Sequence, residues 1–243
     1  AGKLAERYKV IIHSHASENR DEIAEVESAL GRRNVIYFGD IGLLGENLIL
    51  AHCIWVNEEE LNLLKESKTA VAHCPSSNLK LGSGIAPITR MIEMGIKVSL
   101  GADGAPCNNN LDQFMEMRLA ALIQKPIHGP TALPAERVFE MATLGGAAAI
   151  NMSGKIGSLE VGKKADLALI ELNKPHSMPE AGTNIYSRLV YEAKAADVLL
   201  TMVDGRILYK NGLLQSIDEG HVLAQADKAL ARVLKRSGIT SRP

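Results

Sequence analysis

The sequence predicts an α/β chain: a parallel sheet with helices between its strands, then a small antiparallel β element and a C-terminal helix. Three observations point there. Almost wholly apolar β-rich runs alternate with amphipathic helical patterns through the first two-thirds of the 243 residues, the signature of parallel βαβ units buried on both faces. From about Ile156 the helical periods give way to short β-rich runs separated by Gly and Asp-Gly. A last amphipathic stretch runs from about Asp218 to Lys235. The expected divisions are therefore 1–155 for the parallel region, 156–215 for the β element and 216–243 for the helix and tail.

In chain order, YKVIIH (Tyr8 to His13) reads as the first strand, with a charged helix from Asn19 to Leu30 after it. NLILAHCIWV (Asn47 to Val56) is the second, and Asn57 with Glu60 then forms a helix cap that sets Leu61 and Leu64 on one face. TAVAHC (Thr69 to Cys74) is the third strand, followed by a loop and a helix from Pro87 to Met94. KVSLG (Lys97 to Gly101) is the fourth. A long helix from Leu111 to Gln124 carries Leu111, Phe114, Met115, Leu119, Leu122 and Ile123 at helical spacing, and Lys125 to Pro130 and Asn173 to Thr183 read as loops. Beyond Ile156, Asp204-Gly205 between two apolar runs predicts a hairpin.

Composition narrows the function. Apolar residues make up 46% and charged residues 23%, enough for a sizeable core. Lys and Arg number 27 against 28 Asp and Glu, so no basic stripe exists to track phosphates and nucleic acid is not the expected partner. The longest apolar run, Leu48 to Val56, is interrupted by His52 and is far short of the ~20 residues of a membrane span. The N-terminal AGKLAERYKV has no signal-peptide core. Three scattered cysteines without a CxxC suggest neither a disulfide framework nor a zinc ribbon. The expected compartment is the cytoplasm. The chain starts without Met inside a helical pattern, which leads us to expect a processed or truncated polypeptide.

The chemistry concentrates at strand ends. His13, His15, His52 and His73 fall at the C-terminal ends of the first three predicted strands, and Asp103 follows the fourth. Parallel α/β folds gather such side chains on one rim, where they place their sites. Imidazole and carboxylate together suit Zn or Fe(II) better than Mg or Ca. Each residue also has a plain structural alternative. His13 or His15 can pack, Glu18 can cap the following helix, His52 and His73 can be core histidines, and Asp103 can be a turn residue. Cys53, Cys74 and Cys107 adjoin the rim, but no base partner is fixed by sequence and small apolar packing is the expected role.

Four blocks carry a resemblance: HSHASE (His13 to Glu18), LAHCIWV (Leu50 to Val56), VAHCPSSNLKLGSGIAPI (Val71 to Ile88) and LGADGAPCNNNLDQFMEMR (Leu100 to Arg118). In this order they resemble the amidohydrolase superfamily, in the branch of S-adenosylhomocysteine/5′-methylthioadenosine deaminases, guanine deaminase and triazine hydrolases. GSLEVGKKADLALIEL (Gly157 to Leu172) resembles the stretch where that branch passes from barrel to β-sandwich. The resemblance implies that His15, after barrel strand five, ligates one divalent metal, zinc with iron or manganese as alternatives. It implies that Glu18 shuttles a proton to a ring nitrogen of the substrate, and that His52, after strand six, orients the attacking hydroxide. Asp103, after strand eight, would be both metal ligand and general base, and Asn78, Asn108 and Asn109 would shape the substrate pocket. Such division of labour requires the two carboxyl groups to have separated pKa values. The reaction implied is hydrolytic deamination of a purine nucleoside, with a 5′-modified adenosine as the expected substrate.

The superfamily also uses an H-x-H pair after the first barrel strand, and no block before HSHASE supplies it. A (β/α)₈ barrel alone needs about 250 residues, whereas four βα units fit here. The fold class expected is therefore the C-terminal half of such a TIM-type barrel plus part of a small β-sandwich. A half barrel exposes open strand edges, so the expected partner is the missing N-terminal half or a second copy, with a homo-oligomer in view and the chain alone inactive. Guanine deamination and triazine dechlorination are alternatives within the chemistry. A non-catalytic truncated homologue serving as an assembly module is the alternative outside it. A Rossmann nucleotide binder is set aside, because Gly82-Ser83-Gly84 lacks the third glycine of GxGxxG.

Overall fold

A computed structural model describes residues 1–180 and 182–239. It is an α/β fold. It comprises two compact units, one of Ala1–Lys164 and Leu172–Asp197, the other joining Ala165–Glu171 to the chain from Val198 onward. The first unit thus runs past residue 155 and takes back a segment that the sequence assigned to the β element.

The first unit holds a parallel four-stranded sheet in sequential order: β1 (Ile12–Ala16), β2 (Leu48–His52), β3 (Ala70–His73) and β4 (Val98–Leu100). β1 starts later than the sequence suggested. Tyr8 is the last residue of a helix, Gly2–Tyr8, which Lys9 ends in a left-handed conformation. The strand runs on to Ala16 because each residue from Ile12 to Ala16 pairs with one of Leu48 to His52. His13 and His15 consequently lie inside the strand, on one face.

Helices follow each strand as expected. Asn57 accepts from Glu60 N while the Glu60 carboxyl accepts from Asn57 N, a complete capping box on helix Glu58–Ser67. The long helix differs from its pattern. It spans Gln113–His128, capped by Asp112 and carried through Pro126, so most of the expected Lys125 to Pro130 loop is helical. Leu111 sits outside it with φ 55°. Its buried stripe is Glu116, Met117, Ala120, Ala121 and Gln124, whereas Met115 and Leu122 are exposed. Two alanines let this helix approach its neighbours closely, and the two buried polar side chains are satisfied by hydrogen bonds.

Alternation along the strands sorts the core. Leu48, Leu50, Val71 and Val98 join Leu61, Leu64, Ile88, Met91 and Met117 in the main cluster. Ile49, Ala51, Ala70 and Ala72 form a second, small-residue cluster with Ala149. Burying a Leu or Ile contributes about 1.5–3 kcal/mol, so the main cluster supplies most of the stabilisation.

The second unit is an antiparallel sheet, β5 (Leu167–Ile170), β6 (Val198–Val203), β7 (Arg206–Lys210) and β8 (Leu213–Leu214), followed by helix Glu219–Ser237. The predicted hairpin forms at Asp204 (φ 50°) and Gly205 (φ 75°), the paired positive φ of a type I′ turn. Among the described residues no helix is long and apolar enough to cross a membrane.

Candidate active site

His15, His52 and Asp103 converge: one donor atom from each lies within 4.8 Å of the others. The convergence depends on backbone conformation. His15 pairs with Ala51, and His52 pairs with Ala16, so regular alternation would turn His52 away from His15 and into the helix-facing core. His52 instead has φ 70°, and Cys53 follows at 46°. This left-handed pair swings the ring across the strand end, where it stacks on His15 with centroids 5.4 Å apart. Asp103 is likewise left-handed at φ 63°. Non-glycine residues held there cost of order 1–3 kcal/mol each, and such strain gathers at functional sites.

Hydrogen bonds fix two of the three side chains. His52 Nδ1 donates to Asn78 Oδ1 at 2.8 Å, which turns Nε2 toward the cluster. Ser77 Oγ donates to Asp103 Oδ2 at 2.5 Å and Gly104 N to Oδ1 at 2.6 Å. Burial alone would raise the Asp103 carboxyl, but these two bonds, with the His52 and His15 rings, outweigh it and hold it below the usual carboxylate range.

Glu18 stands beside the cluster, its Oε2 3.8 Å from His52 Nε2 and its Oε1 accepting from Ser83 Oγ at 3.4 Å. It is not the helix cap. Asn19 caps helix Arg20–Leu30, and the Glu22 carboxyl accepts from the backbone N–H groups of Ser17 and Glu18. The Glu18 side chain is thereby left for other work.

The remaining candidates separate. His13 shares the His15 face, with ring centroids 6.5 Å apart; burial and the neighbouring His15 and His52 lower its pKa. His73 lies on the same face of β3 as Val71, has ordinary φ, and is fully buried. Burial, then His52, pushes it down to about 3, and neither ring nitrogen has a hydrogen-bond partner among the described residues. Asn78 is buried with its oxygen committed to His52. Asn108 is buried too: its Nδ2 donates to Ala102 O and Glu116 Oε1, and its Oδ1 accepts from Asn110 N and Leu111 N. Neither amide is turned toward open space. Asn109 is exposed and bonded to Lys80 and Ala105. Sequence reading missed Ser77, Ser83 and Glu116, whose signal was only their place in the quoted blocks.

The thiols are poor nucleophiles. Burial raises Cys53 strongly and lifts Cys74 to about 12, with Asp103 and Glu116 adding to the latter. Cys107 is partly exposed, its thiol also raised, by burial and then by Asp103. Ellman's reagent at pH 8 should therefore titrate one thiol in the native chain and all three after denaturation. Fast titration of three native thiols would contradict this packing.

Fold and site together define an α/β protein with a His/His/Asp donor cluster at the C-terminal strand ends of its parallel sheet. The amidohydrolase family profile matches residues 1–208, and the chain belongs to that family. It is 42% identical over 231 residues to the 5′-deoxyadenosine deaminase of Methanothermobacter thermautotrophicus, covering 95% of this chain and 53% of that protein. It is 43% identical over 220 residues to the 5-methylthioadenosine/S-adenosylhomocysteine deaminase of Moorella thermoacetica, covering 90% and 51%. Among solved structures, an adenosine deaminase from Xanthomonas campestris with bound zinc superposes with TM-score 0.91 at 33% identity, covering 96% of this chain and 53% of that one. The zinc-complexed atrazine chlorohydrolase TrzN of Arthrobacter aurescens TC1 superposes with TM-score 0.84 at 26% identity, covering 93% and 50%. The chain spans about half the length of the curated relatives it matches.

Proposed function

We propose that this chain carries one half of a metal-dependent hydrolytic deaminase acting on a purine nucleoside, most directly a 5′-modified adenosine. The observation that carries the reading is the convergence of His15, His52 and Asp103, with Glu18 alongside. The donor set fits a divalent ion: imidazole and carboxylate are zinc ligands, and one donor atom from each residue lies within 4.8 Å of the others. In this reading His15 and Asp103 hold the ion. The H-x-H pair that the family resemblance implies would supply the further donors from the half of the barrel that residues 1–243 do not contain. The region 1–155 is then strands five to eight of a (β/α)₈ barrel, 156–215 part of a β-sandwich, and 216–243 a helix and tail. Support comes from the four parallel strands in sequential order and from coverage of about half of each relative.

When bound, the ion, zinc with iron or manganese as alternatives, supplies hydroxide at neutral pH by lowering the pKa of its water to about 7. Asp103, held ionised by Ser77 and Gly104, takes the water's proton. His52, its Nδ1 tied to Asn78, points Nε2 at the attacking oxygen and at the tetrahedral carbon that develops. Glu18 delivers a proton to the ring nitrogen as the carbon is attacked. Asp103 passes the proton it took to the departing amine, which leaves as ammonia, and Glu18 recovers a proton from the new hydroxyl group as it becomes the carbonyl. Asn109 is the exposed asparagine of the pocket wall, and Asn78 and Asn108 shape it from behind.

The test is ammonia release by the zinc-loaded full-length protein from 5′-deoxyadenosine, methylthioadenosine, adenosylhomocysteine, adenosine and guanine. Turnover is expected on the 5′-modified adenosines, lost on chelation and restored by zinc, and absent from residues 1–243 alone. Preference for guanine or a chlorotriazine would move the substrate assignment. Failure on every substrate would favour an assembly module.

A further inference from the structure

The short helix Pro75–Lys80 makes contacts from three successive residues, two of them to the donor cluster. Ser77 holds Asp103 and Asn78 holds His52, while Ser76 N donates to Glu116 Oε2 at 3.1 Å. Glu116 comes from a different element, helix Gln113–His128, and is fully enclosed. Its other oxygen accepts from Asn108 Nδ2 at 2.7 Å, and that same nitrogen donates to the carbonyl of Ala102, the residue before Asp103. One carboxyl group therefore ties the segment after β3 to the segment after β4. No cation pairs with Glu116 among the described residues. A buried carboxyl without a cation is costly, and a position needed only for filling would take Met or Leu.

We propose that Glu116 is a positioning residue of the metal site. It clamps the two segments so that Ser77 stays on Asp103 and Asn78 on His52. The inference rests on the metal-site reading above, and it concerns a residue that touches neither the donor cluster nor the substrate. Its chemistry is specific: both oxygens must accept, because both partners are N–H donors. Glutamine, of nearly identical shape, sets an NH₂ against one of those donors.

The experiment compares Glu116→Gln with wild type as zinc-loaded full-length protein. Readouts are the rate of zinc release to a chelator, the visible spectrum of the cobalt-substituted form, kcat and KM separately, and the melting temperature. Expected are zinc release at least about tenfold faster, an altered cobalt spectrum, and a fall in kcat with KM little changed. If Glu116→Gln does not fold, Glu116→Asp, which keeps two acceptors on a shorter stem, should show the same changes at smaller size. A lower melting temperature with wild-type zinc release and cobalt spectrum would make Glu116 merely structural and overturn the inference alone. A wild-type protein that holds no metal would overturn the metal-site reading with it.

Discussion

Asp103→Asn in the zinc-loaded full-length protein is expected to abolish useful turnover, with kcat/KM falling by about 10³-fold or more, because general-base loss alone costs about 10²–10⁴. Zinc content should fall as well, since the same carboxyl is assigned to the ion. The substitution is a clean one. Asparagine can keep its oxygen on Gly104 N and turn its NH₂ to Ser77 Oγ, which then accepts instead of donating, so the melting temperature should move little. Activity, metal stoichiometry and thermal melting measured on one preparation decide it. Wild-type turnover from a folded Asp103→Asn variant would end the catalytic reading.

Glu18→Gln should separate the two functions proposed for Asp103. Glu18 lies outside the His/His/Asp cluster, 3.8 Å from His52, so zinc content should match wild type. Glutamine can still accept from Ser83 but cannot deliver a proton as the carboxylic acid does, and kcat should fall by about 10²-fold or more. Loss of zinc from this variant would show that Glu18 serves the ion directly and would redraw the division between acid and ligand.

Much of this was legible in sequence, and the reasons for the exceptions are physical. Apolar runs located all four parallel strands, because strands covered on both faces have no polar alternation to confuse the period. Their ends were less well placed: β1 was set by pairing with β2, an interaction that no local pattern encodes. The Asn57 cap was readable because capping is a matter of two residues three apart. His52 and His73 look equivalent in sequence, each closing an apolar strand before a cysteine. The backbone separates them. A left-handed φ swings His52 out to the cluster, while His73 keeps regular alternation and stays enclosed and neutral. Glu116 was invisible for the opposite reason. The apolar stripe of its helix pulled attention to Met115 and Leu122, which the fold leaves exposed.

The alanines of the second cluster set a clearance. Ala51 is the register partner of His15, and Ala70 and Ala72 continue the same face onto the next strand. Directly beside the imidazole these side chains are single methyl groups, with the larger Ile49 lying next to His13. A bulkier side chain there would find closely packed backbone beneath it and would have to rise toward the ring. The space beside His15 is thus kept by the smallest residues of this face, and enlarging one of them would act as a wedge under the ring although none of them carries any chemistry.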